Sequence, residues 1–255
     1  MTVFTLRRRQ VGLLALASAL GPAAIAAGTD PLAPMVRFDA LYIPVLSLTS
    51  AAQADAAAAP RARAAAARLH QAWPALHKAL ADQPPSTAQQ AAWQRALHQA
   101  GRQMAEAEQA IARNDWAHAH EALEPVRIGL MTVRQAAGFD YVVDRLTAFH
   151  APMEELVLAA GKGSLAGMEP VFARAAALWR AVESQPVDAV TYRLSPQRQA
   201  QLRAGLAAEG LAMSRLSDAL RGSDNAAALA AAKAIKPPFA RVFTAFGLAD
   251  GESLP

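Results

Sequence analysis

Apolar positions recur at three- and four-residue spacing through nearly the whole chain beyond residue 35, and no useful run of period-two alternation interrupts them. That pattern predicts helices and no sheet. At about 100° per residue, Trp93, Leu97, Ala100, Met104 and Ile111 share one stripe, and Leu202, Leu206, Met213, Leu216 and Leu220 share another. Methionines and aromatics placed this way read as core, not as a cofactor box. Alanine, leucine, glutamine and arginine dominate while β-branched residues are sparse, so local propensity agrees with the period. The predicted helices cover 35–52, 60–82, 87–113, 116–137, 141–160, 166–184, 196–221 and 225–246, which makes the class all-α with about eight helices.

A second regularity lies over the first. At an offset of 109 residues Ser86 matches Ser195, Trp93 matches Leu202, Leu97 matches Leu206, Met104 matches Met213, Ile111 matches Leu220 and Gly138 matches Gly247. Both copies open a helix after a serine cap (Pro85-Ser86-Thr87; Ser195-Pro196) and break at a polar turn (Arg113-Asn114-Asp115; Gly222-Ser223-Asp224). Both then close a further helix at a glycine, as C-caps do. Upstream, Phe38-Asp39-Ala40 resembles Phe149-His150-Ala151. Each copy therefore reads as four helices, residues 28–138 and 139–255, and short connections favour up-down-up-down bundles in tandem. One merged eight-helix body is the rival arrangement.

The first 27 residues depart from this pattern. Arg7, Arg8 and Arg9 precede an apolar stretch from Val11 to Ala27 that is broken at Gly21-Pro22 and ends in small residues, the layout of a cleaved export signal. The arginine pair followed by Gln10, Val11, Gly12 and Leu13 also suits the twin-arginine route, and the expected location is the periplasm. Without residues 1–27 the balance is 22 basic to 21 acidic side chains, so nothing points to nucleic acid or to an anionic membrane. After the signal no apolar run is expected to span a bilayer. A periplasmic protein partner and the oligomeric state stay open. There is no cysteine, which excludes disulfides, thiolate metal sites, iron–sulfur clusters and covalent c-type haem.

Candidate chemistry gathers between Asp115 and Glu155, where three of the six histidines fall. His120 stands four residues before Glu124 and His150 four before Glu154, a spacing that puts each pair on one helical face. Phase places both pairs on or beside apolar stripes, whereas His118 and Glu155 point away. Imidazole and carboxylate on such a stripe need partners, because burying them unpaired costs on the order of several kcal/mol. A hairpin at Gly138-Phe139-Asp140 would bring Glu124 and Arg127 level with His150 to Glu154. Pro125 and Pro152 free the carbonyls of Glu121 and Ala148 near the same cluster. Three readings compete: a buried polar network with Arg127 neutralising Glu124 or Glu154; a metal site formed by His120, Glu124, His150 and Glu154, suited to a transition ion such as Fe, Cu or Zn, with Arg127 and Met153 as cofactor contacts; and acid–base catalysis by histidine. The second copy replaces His120, Glu124 and Arg127 by Leu229, Lys233 and Lys236, so the fold itself does not require them. His70, Trp73 and His77 read as boundary residues, His98 as exposed, and Glu209 as paired with an Arg or Lys.

The segment Ala119-His120-Glu121-Ala122-Leu123-Glu124-Pro125-Val126-Arg127, with Phe149-His150, Met153-Glu154 and the closing Pro237-Pro238-Phe239 and Phe243 to Gly247, resembles exported α-helical proteins of proteobacteria. That resemblance spans most of the chain after the signal and brings no activity with it. In architecture alone the four-helix unit is similar to periplasmic haem cytochromes, whose non-covalent members pair an early methionine with a late histidine. Met35 is present, but neither last helix carries a histidine near its end. The expectation is an exported helical-bundle protein that binds a transition metal or small ligand at the junction of its repeats; a non-catalytic interaction or scaffold protein with a structural cluster is the alternative.

Overall fold

The computed structural model describes residues 30–222, 224–249 and 251–253. The signal expected at 1–27 and Ser223 of the second polar turn lie outside them. The described chain is all-α: α1 Leu32–Ala54, α2 Ala59–Asp82, α3 Gln90–Ala112, α4 Trp116–Ala136, α5 Val142–Gly161, α6 Met168–Glu183, α7 Pro196–Arg221, and a last helix in two pieces, α8 Asn225–Ala234 and α9 Lys236–Thr244. Seven of the eight predicted helices match to within a few residues.

The eighth differs because Pro237 and Pro238 have no N–H to give to the carbonyls of Lys233 and Ala234. A proline is tolerated only in the first turn of a helix, so the chain stops at Ile235 and starts again with both prolines at the front of α9. Ser195 caps α7 by accepting the Arg198 N–H at 3.3 Å, as expected, and Asp115 and Asp224 cap α4 and α8. Ser86 makes no such bond; a single 3-10 turn, Thr87–Gln89, leads into α3 instead.

Among α1 to α4 each helix packs on its neighbours in sequence order or closes the circuit, since α1 touches α2 and α4, and α3 touches α2 and α4. The same order recurs in α5 to α9, where α5 meets α6 and α8, and α7 meets α6, α8 and α9. Contacts of α4 with α5 and of α1 with α9 join the halves, and the buried apolar side chains form one cluster running through both. Trp93, Leu97, Ala100, Ile111, Leu202, Met213 and Leu216 are buried along the predicted stripes.

Among the described residues helix α1 is long and apolar enough to cross a membrane by length and composition, and most of its side chains are buried in the fold, Tyr42 and Ile43 fully. Its uniform apolarity reflects packing on all sides, which is what a helix hydrophobic all round signals. Pro44 in α1 leaves the Ala40 carbonyl without its helical donor, and the Leu248 N–H fills that place at 2.8 Å. The chain can run so close there because residue 247 is glycine: a Cβ would sit 2.8 Å from Pro44 Cδ. Gly138 is the helix-ending glycine the repeat predicts, at φ 69°, but its counterpart Gly247 serves close approach and is not left-handed.

A buried ion pair fastens the turn between α4 and α5. Arg134 donates to Asp144 through Nε at 2.8 Å and through Nη2, with its guanidinium over the Tyr141 ring. Tyr141 in turn donates to Asp39 of α1 at 2.6 Å. This network went unpredicted, since Arg134, Asp144 and Asp39 each look like surface residues when read alone.

Candidate functional site

Four helices converge on the polar residues singled out between Asp115 and Glu155. α1 supplies Leu46, Ser47 and Ser50; α4 supplies His120, Glu124 and Arg127; α5 supplies His150, Met153 and Glu154; and α9 supplies Lys236, Phe239, Ala240, Phe243 and Thr244. They enclose a cavity of about 440 Å³. All six residues expected to form a metal or cofactor site therefore line one space. The lining thus draws α1 and α4 from the chain before Gly138 and α5 and α9 from the chain after it.

Arg127 is the centre of the arrangement. Its side chain is only 6% exposed, and it donates to Glu124 Oε2 from Nε at 2.9 Å and also from Nη2. Nη2 reaches across to α5 as well, 2.6 Å from His150 Nδ1. A guanidinium has no acceptor atom, so Nδ1 accepts and the His150 ring proton lies on Nε2. Nε2 faces Glu154 Oε1 at 3.4 Å, and the Lys236 ammonium lies 2.7 Å from the same oxygen. Burial pushes the Glu154 carboxyl up, but the hydrogen bonds from His150 and Lys236 and the charge of the Lys236 ammonium outweigh it and hold the group at about 2.

On the other side His120 gives its Nδ1 proton to the Leu46 carbonyl of α1 at 3.1 Å, with Thr49 Oγ1 3.5 Å away, and presents Nε2 to Glu124 Oε1 at 3.5 Å. The polar side chains thus run in one line: His120, Glu124, Arg127, His150, Glu154, Lys236. The imidazoles and carboxylates of this line are each about one-quarter exposed, so the line borders the cavity without being sealed from it. Phe239 and Phe243 form the apolar wall, stacked at 6.0 Å between centroids, with Phe243 beneath the Arg127 guanidinium and Phe239 beside the His150 ring.

This geometry bears directly on the ligand set. His120–Glu124 and His150–Glu154 are two pairs separated by Arg127, and among the described residues no group of three or more His, Asp or Glu converges as metal ligands do. The carbonyls expected to be freed by Pro125 and Pro152 are not those used; His120 takes Leu46 of α1. Arg127 neutralises Glu124 as one expectation had it, while Glu154 is neutralised by Lys236, which the sequence reading passed over. The signal was present: Lys236 is the repeat counterpart of Arg127, and Phe239 and Phe243 follow it at helical spacing.

The remaining polar residues fall outside the cavity. His118 pairs with Glu106 of α3 at 3.1 Å and Glu155 with Arg174 of α6 at 2.6 Å, both exposed. His70 pairs with Glu108 at 2.8 Å, and the rings of Trp73, His77 and His98 follow one another at 5.3 and 5.5 Å. Glu209 is a correction. It is fully buried, and among the described residues neither carboxyl oxygen has an ion-pair partner or a hydrogen bond of normal geometry. Burial pushes its carboxyl up to about 8 against the weaker opposing pull of the Phe239 backbone N–H of α9, in place of the expected ion pair. No family model, curated protein or solved structure matches this chain.

Proposed function

We propose that this protein is an exported helical binding protein whose cavity, at the meeting point of its two four-helix repeats, takes a small organic ligand. The observation that carries this reading is the cavity itself. It falls within the range of about 300–1,000 Å³ typical of ligand pockets, with mostly apolar walls and a few convergent polar groups. One side is a line of charged and imidazole groups; the other is Phe239, Phe243, Met153 and Leu46. A core network kept only for stability has no need of such a space beside it.

Between the two ligand types expected from sequence, Arg127 favours the organic one. Its guanidinium stays charged and lies between the two His–Glu pairs. A divalent ion drawing ligands from both pairs would sit beside that charge. A metal held by one pair alone, through Nε2 and a carboxylate, is the second reading, and both Nε2 atoms do face carboxylates.

A thermal-shift screen separates the readings. Small water-soluble metabolites and Fe, Cu and Zn salts are offered to the mature chain and to Ala240→Trp, a change at an exposed residue of the cavity rim. Stabilisation by an organic compound in the parent and not in Ala240→Trp is expected. Stabilisation by a metal alone, abolished by His150→Ala, supports the second reading. No response to any compound or ion leaves the cluster as structure only.

A further inference from the structure

The charges along the cavity are balanced before any ligand arrives. Arg127 and Lys236 carry two positive charges, and Glu124 and Glu154 carry two negative ones. Donors and acceptors nevertheless remain. Arg127 is committed through Nε and Nη2, and among the described residues nothing accepts from Nη1. Glu154 takes both His150 and Lys236 on Oε1, and among the described residues no donor meets Oε2. One spare cationic edge and one spare carboxylate oxygen therefore belong to residues that line the same space, from α4 and from α5.

A balanced pair of ion pairs selects against a ligand of single charge. A lone carboxylate on Arg127, or a lone ammonium on Glu154, brings an uncompensated charge against Phe239, Phe243 and Met153, where water is partly displaced. A ligand carrying both charges adds none. We propose that the cavity recognises a small zwitterion of amino-acid chemistry. Its carboxylate lies at Arg127 Nη1 and Lys236 Nζ, its ammonium at Glu154 Oε2, and its apolar or aromatic body against the Phe239–Phe243 stack. This assignment rests on the ligand-binding reading above and adds the ligand class to it.

The test is isothermal titration of the mature chain with L-phenylalanine and with molecules that each lack one part: 3-phenylpropanoate without the ammonium, phenethylamine without the carboxylate, and glycine without the body. Phenylalanine should bind at least tenfold more tightly than each of the three. Glu154→Gln should weaken phenylalanine tenfold or more while leaving 3-phenylpropanoate within twofold. Lys236→Gln, at a half-exposed residue whose loss spares the core, should weaken phenylalanine several-fold and phenethylamine little. Binding of phenylpropanoate or phenethylamine as tight as that of phenylalanine, or no heat with phenylalanine at all, overturns the zwitterion assignment. Binding that persists unchanged in Ala240→Trp shows that the ligand sits elsewhere, and then the cavity reading falls with it.

Discussion

Three carboxyl groups set how stability should follow pH, and they oppose one another. Glu154, held at about 2 against an ordinary 4.5, is ionised in the folded chain where the unfolded chain is still protonated. Its contribution is present above about pH 4.5 and is lost as pH falls toward about 2. Asp39 and Glu209 have the reverse sign. Burial raises Asp39 from 3.8 to about 6 against the pull of Arg134 and Tyr141, and raises Glu209 from 4.5 to about 8. The folded state keeps protons that the unfolded state has released, so stability falls as pH rises from about 4 to about 8. Chemical denaturation across pH should therefore give a maximum at about pH 4. Glu209→Met, which replaces an unpartnered buried carboxyl by an apolar chain of similar size, should raise Tm by roughly 4–8 °C at pH 8 and by less at pH 4. A gain that does not grow with pH would show that Glu209 is not protonated in the fold. Glu209 was legible as a polar residue on an apolar stripe; its lack of a partner was not, because that depends on what α9 presents to α7.

At the scale of the element, proline and glycine explain what period alone could not. The 3.6-residue pattern located seven helices well, since a helix needs only local agreement of stripe and propensity. It ran through Pro237-Pro238, where the pattern continues but the hydrogen bonding cannot. The resulting break sets α9 as a separate segment bearing Lys236, Phe239 and Phe243, and this is why those three residues were missed as cavity residues. Close approach gives a direct check on helix placement. A Cβ at position 205 of α7 would lie 2.8 Å from Val242 Cγ2 and 3.0 Å from its backbone nitrogen, and one at 247 would meet Pro44. Gly205→Ala and Gly247→Ala should each cost about 1–3 kcal/mol in urea denaturation. Gly129→Ala, on the exposed side of α4 with nothing within 4 Å, should instead add about 0.5–1 kcal/mol. Equal effects at the three positions would contradict the packing of α9 and of the C-terminal segment.

For the whole molecule, the repeat and the site are one problem. The sequence comparison of the two copies singled out His120, Glu124 and Arg127 as groups the second copy lacks, and that remains true. What the alignment could not express is that the second copy meets them face to face, with Lys236 taking the place of Arg127 on the opposite carboxylate. His150 and Glu154 were placed correctly because α4 and α5 form a hairpin with a short turn, so equal distances from Gly138 come level. The α1 and α9 contributions depend on contacts between elements far apart in sequence, for which helical phase gives no guide. Arg127 holds this junction together: Arg127→Met leaves Glu124 and His150 Nδ1 without their donor and should destabilise the chain by about 3–5 kcal/mol, with a Tm fall of roughly 6 °C or more. A loss under about 1 kcal/mol would mean that the bridge between α4 and α5 is not formed in solution.

Occupancy of the cavity between α1, α4, α5 and α9 by a small organic molecule is read out by native mass spectrometry of the mature chain recovered under mild conditions from the cells that make it. A non-covalent adduct of small-molecule mass is expected on the parent chain and is absent from Ala240→Trp prepared alongside. Both chains at the bare polypeptide mass, or an adduct of metal-ion mass alone, would contradict it.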